Sequence, residues 1–341
     1  MTEKKSLSAT KIKTLQGCSW QYFAKYHLKL PEKQNLGASL GNIAHIIFEC
    51  LGNPRHLKHY KKALKTKNIY KIESIRRLVK KYFQKYGIID KEEALKLNSW
   101  VICGLGYDFF GKTLTKPDLA LSEQDFDINM DEDGKSYRIK GFIDKLFLYK
   151  KKSLALIRDF KTSKKSFDGK DLEDNLQDQI YALAVSKLYP DFMKIKVEFP
   201  FLQLMVKNGE DAVVKMQEQS VDDLENVEFL LTEIQKCVDN FSEKDASSNL
   251  AAYKGYPEDG SFSGKLLCGF DNKKGQLKKD GTPMWGCAFK WGFEYYSVKN
   301  KKGEIISTYL LDDFDKIDYD EEKGEEIFLE KYEGCPAWKN K

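Results

Sequence analysis

Long apolar runs are missing from this sequence. No stretch of its 341 residues approaches the roughly 18 consecutive apolar residues that a membrane-crossing helix needs. The opening MTEKKSLSATK also lacks the apolar core of a secretory signal, so the expectation is a cytoplasmic protein with no membrane partner. Cysteines are few and odd in number. The seven at Cys18, Cys50, Cys103, Cys237, Cys268, Cys287 and Cys335 argue against a secreted disulfide framework and leave reduced thiols or metal ligands. A strong excess of one charge is absent too: 57 Lys and Arg against 52 Asp and Glu give +5, so a basic surface has to come from local clustering. No internal repeat or low-complexity tract appears, which excludes solenoids and arrays.

Apolar material is plentiful in short pieces. Hydrophobic residues make up 41% and aromatics 13%, at a mean hydropathy of -0.56, enough to fill a sizeable interior. The length suits one elaborated core or a core with a small appendage, and the first is favoured. Roughly the first hundred residues read as helices. Ile12, Leu15, Tyr22, Phe23 and Tyr26 recur at helical intervals, as do Ile43, Ile46, Ile47 and Leu51, and lysine-rich amphipathic segments follow. Then LALSEQDFDINM, SYRIKGFIDKLFLY and LALIRDFK, separated by the turns DEDG and KKKS, alternate as three antiparallel strands do. DLEDNLQDQIYALAVSKLY reads as a helix, KIKVEFPFLQLMVK as a strand and VDDLENVEFLLTEIQKCVDNF as a helix, and the chain beyond about residue 245 reads as irregular.

Asp144 lies in the middle strand, and the next strand carries Asp159 and Lys161 across a hairpin turn. A period of two puts Asp159 and Lys161 on one face, beside Asp144 if the register permits. Two carboxylates that close repel unless a cation lies between them, and Mg²⁺ or Mn²⁺ is the expected neutraliser. Such an ion polarises a phosphate and acidifies a bound water, while a lysine stabilises the developing charge. Taken alone, the pattern is more often an ordinary ion pair of Asp144 with Lys161 or Lys145. Two helices add to it. Gly41, His45 and Glu49 recur every fourth residue in GNIAHIIFE, and Gln177 and Tyr181 are four apart, so each set shares a helix face. Each set by itself has a plainer reading, as a hydrogen-bonded core histidine and as helix-surface packing.

The order of these pieces resembles the RecB-like branch of the PD-(D/E)XK superfamily, which includes helicase-nuclease domains, CRISPR-associated exonucleases and phage recombination nucleases. LSATKIKTLQGCSWQYFAKYHLKL resembles its opening helix, GNIAH its histidine motif, GFIDKL its aspartate motif, IRDFKTSK its acid-x-Lys motif and QDQIYAL its Gln-x-x-x-Tyr helix, over about residues 6 to 190. The resemblance implies that His45, Asp144 and Asp159 bind Mg²⁺ or Mn²⁺, with the Phe160 carbonyl as a further ligand. It makes Lys161 catalytic and gives Gln177 and Tyr181 a supporting or DNA-contacting role, with Glu49 a secondary candidate.

Many members of that branch also hold a [4Fe-4S] cluster through one cysteine of the opening helix and three near the C-terminus. Cys18 sits where the first would be, and MWGCAFKWGFEYY resembles the closing segment, yet Met284 stands where a cysteine is expected. Cys268, Cys287 and Cys335 complete a set of four at unusual spacings, for a cluster or for zinc. The alternative is free thiols, with Cys18 a small buried apolar residue. The aromatics from Trp285 to Tyr296 either fill a core or stack single-stranded bases.

The implied fold is an α/β (α+β), restriction-endonuclease-like core: a small mixed sheet flanked by helices, with an N-terminal helical insertion at about residues 52–115 and a C-terminal aromatic appendage over 246–341 packing on a core of residues 1–245. The implied activity is metal-dependent DNA hydrolysis, exonuclease-like from single-stranded or duplex ends, in recombination, repair or phage DNA processing, with a recombination or helicase protein as a partner. Lysines at 150–152, 164 and 165 would track the phosphate backbone and make binding salt-sensitive. A non-cleaving DNA-binding component is the alternative, against which the completeness of Asp144, Asp159 and Lys161 speaks. An iron-sulfur or zinc interaction module is a third reading.

Overall fold

The computed structural model describes residues 4–33, 35–254, 267–269, 273–279, 281 and 284–338. In chain order its elements are α1 (Ala9–Gly17), α2 (Ser19–Tyr22), α3 (Leu36–Gly52), α4 (Leu57–Thr66), α5 (Glu73–Tyr86), α6 (Lys91–Gly106), β1 (Leu119–Glu132), β2 (Lys135–Tyr149), β3 (Leu154–Arg158), α7 (Lys170–Glu173), α8 (Leu176–Leu188), β4 (Lys194–Pro200), α9 (Leu202–Asn208), β5 (Val213–Lys215), α10 (Val221–Asp239), α11 (Glu243–Ala246), β6 (Trp291–Lys299), β7 (Ile305–Leu310) and β8 (Glu326–Gly334). The chain divides into two compact units. The first is Met1–Ala9 with Gln34–Lys236, the second Thr10–Lys33 with Cys237–Lys341.

A mixed five-stranded sheet, ordered β1-β2-β3-β4-β5, forms the centre of the first unit. The β1–β2 hairpin turns at Asp133-Gly134, with φ of 53° and 76°. Asp-Gly tolerates that double left-handed geometry, whose twist matches the flanking strands. β2 and β3 pair antiparallel, β3 and β4 parallel, and α8 makes the crossover that parallel neighbours require. Helices cover the sheet. Leu40, Ile43, Ile47 and Phe48 of α3 join Leu97, Trp100, Val101 and Leu105 of α6 in a buried cluster that also takes in Phe160, and the rings of Phe48 and Phe160 lie 4.5 Å apart. Asn35, Asp90 and Asn175 cap α3, α6 and α8 through their side chains, satisfying amides that have no partner within the helix. The mixed α/β core flanked by helices is the fold class implied by the sequence.

Two local expectations give way. The strand expected over KIKVEFPFLQLMVK stops at Pro200, and Leu202–Asn208 is α9. Proline has no N–H to extend a ladder, and Leu202 and Met205, three apart, bury against the helical cluster. The segment expected to be irregular holds a three-stranded antiparallel sheet, ordered β7-β6-β8. In this second unit Trp20 Nε1 donates to Tyr332 Oη at 2.6 Å, and Tyr332 Oη donates to the Phe289 carbonyl at 2.9 Å. Phe289 and Tyr295 are buried, whereas Trp285 is 59% exposed.

Candidate active site

The chemistry-bearing residues gather where β2 and β3 part. Lys145↔Arg158 is the last pair of that ladder, so Asp144 and Asp159 stand opposite each other just beyond it. The β4 side keeps its hold: Asp159 N–H donates to the Glu198 carbonyl at 3.1 Å and Lys161 N–H to the Pro200 carbonyl at 2.9 Å. Phe160 N–H, which points towards β2, donates instead to Asp144 Oδ2 at 2.7 Å. A carboxylate thus takes the place of a strand carbonyl, satisfying a buried amide and fixing the rotamer of Asp144. Lys161 Nζ lies 2.7 Å from Asp159 Oδ2, as expected for residues two apart in extended chain.

From α8, Gln177 and Tyr181 reach the same point. Lys161 Nζ donates to Gln177 Oε1 at 2.6 Å. Gln177 Nε2 donates to Asp159 Oδ1 at 3.0 Å and to Tyr181 Oη at 2.8 Å. Tyr181 Oη is 2.9 Å from both Asp159 Oδ1 and the Phe142 carbonyl, and its single proton serves one of them at a time. Burial, with Asp159 and Asp144 nearby, raises the Tyr181 phenol and keeps it a donor. Burial likewise raises the Asp159 carboxyl, against the opposing pull of Lys161.

α3 supplies the opposite wall. His45 Nδ1 lies 3.1 Å from Asp144 Oδ1. Burial alone would lower the imidazole, but the Asp144 charge and hydrogen bond, with Asp159 and Glu123, lift it to about 9. Glu123 was not singled out from the sequence: the β1–β2 register runs unshifted through Ser122↔Lys145 and Gln124↔Ile143, which sets Glu123 opposite Asp144, while its φ of 49° is a left-handed conformation unusual for a non-glycine residue in a strand. Donor atoms of His45, Glu123 and Asp144 all lie within 4.8 Å of one another. Burial first, then the Asp144 charge, pushes Glu123 up to about 7. Glu49 is exposed and outside this group. A Cβ at Gly41 would come 2.7 Å from Thr162 Oγ1, so this glycine serves close approach to the segment after Lys161. The ordinary-ion-pair alternative does not describe the site: Lys145 Nζ bonds Ser122 Oγ at 2.7 Å and sits 3.7 Å from the centre of the Phe109 ring, and burial lowers it to about 7.

This donor set fits a divalent ion. The Glu123 and Asp159 carboxyls, held above their ordinary range by burial and by the neighbouring Asp144 charge, are what an inserted cation would relieve, and oxygen donors with one imidazole suit Mg²⁺ or Mn²⁺.

The four cysteines of the expected set all lie in the second unit. Cys18, Cys268 and Cys335 are buried and Cys287 half-buried, and Cys287 N–H donates to the Cys268 carbonyl at 3.4 Å. Burial pushes the Cys287 thiol up to about 12, with Cys18, Cys268 and Cys335 each adding to the rise. Cys335 rises to about 11 by burial, with Cys18 and Cys268 contributing. The thiols are near enough to act on one another electrostatically, but among the described residues no group of donor atoms close enough to hold a metal includes a cysteine.

A profile of the PD-(D/E)XK nuclease superfamily matches residues 6–249, a span that contains every residue of the acidic site. The chain belongs to the PD-(D/E)XK nuclease superfamily. Its members are nucleases that use divalent metals, and the His45–Glu123–Asp144 group sits where this superfamily member's sheet opens. No curated protein matches the chain. Among solved structures, one described as "Crystal structure of SSO0001" is 18% identical with a TM-score of 0.27, over 66% of this chain and 87% of that one.

Proposed function

We propose that this superfamily member is a metal-dependent deoxyribonuclease of the RecB-like kind that hydrolyses phosphodiester bonds from DNA ends in recombination, repair or phage DNA processing. The observation that carries the reading is the meeting of Asp144, Asp159, Lys161, Gln177 and Tyr181 with His45 and Glu123 at one opened strand pair. Asp144, His45, Glu123 and Asp159, with the Phe160 carbonyl, would hold Mn²⁺ or Mg²⁺, and His45 favours Mn²⁺. When bound, such an ion supplies Lewis-acid polarisation of the scissile phosphate and a lowered pKa for the attacking water.

The chain's own groups do the rest. Lys161 presents its ammonium to the phosphoryl oxygens as negative charge develops there. Gln177 holds that ammonium from one side and Asp159 from the other, so no reorganisation is needed during the reaction. Tyr181 keeps Asp159 oriented through one of its oxygens while the other faces Lys161. The four cysteines would hold a [4Fe-4S] cluster or zinc in the second unit; the support is that Cys18, Cys268 and Cys335 are buried and Cys287 half-buried, with the thiols acting on one another electrostatically. Anaerobic purification followed by visible absorbance and metal analysis tests it; an expressed protein that carries neither iron nor zinc sinks it.

The test of end preference is digestion of 5′- and 3′-labelled linear single strands, linear duplexes and closed circles with Mn²⁺. Linear DNA should shorten progressively from one labelled end while circles survive. Cleavage of closed circles as fast as linear DNA would make the protein an endonuclease.

A further inference from the structure

The sheet has a second chemical face. β3 alternates: Ala155 and Ile157 point with Asp159 towards α8, and Leu154, Leu156 and Arg158 point the other way. Its parallel rungs with β4 are Leu154↔Lys194, Leu156↔Lys196 and Arg158↔Glu198, and Lys215 of β5 pairs with Glu198. Over this face lies a cavity of about 870 Å³ lined by Lys152, Lys194, Lys196, Lys215, Leu154 and Leu156. That volume is within the range of small-ligand clefts, roughly 300–1,000 Å³.

The charge in the cavity is uncompensated. Five cations, the four lysines and Arg158, face three carboxylates, Asp108, Glu198 and Glu210, which leaves two positive charges. The carboxylates are largely committed. Glu198 pairs with the buried Arg158 guanidinium and accepts from Tyr107 Oη at 3.2 Å, and Asp108 Oδ1 accepts Lys112 N–H at 2.6 Å. The guanidinium also donates to the Tyr107 and Asp108 carbonyls at 3.0 and 2.7 Å, so the floor is rigid and neutral. Among the described residues, none of the ammoniums of Lys152, Lys194, Lys196 and Lys215 has an ion-pair or hydrogen-bond partner. Like charges crowded into a half-enclosed cleft focus a positive potential that a polyanion would satisfy. Lys194 and Lys196, two residues apart on a strand, are spaced about 7 Å along it, which suits successive phosphates. Leu154, Leu156 and Leu114 add apolar side chains to the lining, against which a base could lie.

We propose that this cavity is a nucleotide site, distinct from the acidic centre, that binds a nucleoside polyphosphate with its phosphates on Lys194, Lys196, Lys215 and Lys152 and its base on the leucines. The two sites lie on opposite faces of β3, so occupancy of one leaves the other accessible.

Isothermal titration of the full chain with ATP in excess EDTA, so that no divalent ion contributes, tests this independently of the nuclease reading. One ATP per chain should bind saturably. The Lys194→Glu, Lys196→Glu double substitution should weaken it about a hundredfold, Asp144→Asn should leave it unchanged, and both tripolyphosphate and adenosine should bind more weakly than ATP. Lys215→Ala, a milder surface change, should give a smaller loss and guards against misfolding of the double variant. Absence of saturable ATP binding, or binding indifferent to both lysine variants, overturns the proposal. Tripolyphosphate binding as tightly as ATP overturns the base-binding part. Binding of a thymidine oligonucleotide but not of ATP would make the cleft a path for a DNA strand instead.

Discussion

Metal affinity at the acidic site should depend steeply on pH, with a sign and size that follow from its neighbours. Without metal, Glu123 is held up to about 7 and His45 up to about 9. The ligating forms are the deprotonated carboxylate and the neutral imidazole, so both groups must lose a proton before they bind and affinity rises with pH. Going from about pH 8 down to about pH 6 cuts the ionised share of Glu123 about tenfold and the neutral share of His45 about a hundredfold, a combined loss near 10³-fold. Because the groups interact, the two steps belong to the cluster rather than to either residue. Mn²⁺ titrations in two buffers of different ionisation heat would count the protons released, expected to lie between about one and two per ion near neutrality. His45→Ala should lower affinity and remove about one unit of the pH slope. Affinity that is flat between about pH 6 and about pH 8, or binding with no proton release, would refute the reasoning.

Other consequences can be checked separately. Glu123→Gln removes a charged donor and should weaken Mn²⁺ binding by about a hundredfold or more, read by the same titration, since loss even of outer-shell partners costs about 10–100-fold. Tyr181→Phe leaves Asp159 without its hydroxyl partner and should slow cleavage about tenfold with little change in DNA binding, measured as kcat against KM. Glu198→Ala takes its nearest carboxylate from the Arg158 guanidinium, buried at 2% exposure, and leaves only Asp108 Oδ2 at 3.8 Å. Stability should fall by about 3–5 kcal/mol in urea unfolding of the metal-free protein. Gly104→Val would press a side chain into Phe48, which a Cβ already meets at 2.5 Å, and should cost about 1–3 kcal/mol by overpacking in the same assay.

The parts of the site that lie on regular elements were legible before any coordinates. Asp159 and Lys161 obey the two-residue period, Gln177 and Tyr181 the helical one, and the Asp-Gly turn brings β1 back along β2. His45 was legible because α3 presents it one turn beyond Gly41. Glu123 was not, because only the β1–β2 register shows that it stands opposite Asp144; the excess of acids in SEQDFD opposite GFID was the one available signal. α9 was hidden because Phe201, Leu202, Leu204 and Met205 extend an apolar strand without a break in composition. The β6–β8 sheet was hidden by continuous aromatics, which mask which face is buried: Tyr295 is buried while its neighbour Tyr296 packs 5.1 Å from Phe314. The cation cleft needed the register of β3, β4 and β5, since Lys152, Lys194, Lys196 and Lys215 are scattered in sequence.

The most direct test of the central claim is hydrolysis of labelled linear DNA by the full chain with Mn²⁺, with Mg²⁺ and with EDTA, alongside Asp144→Asn and Lys161→Ala. Metal-dependent cleavage that both substitutions reduce by at least about a hundredfold, with folding and DNA binding retained, is the result the account predicts. Cleavage that persists in EDTA, or that survives both substitutions, would contradict it.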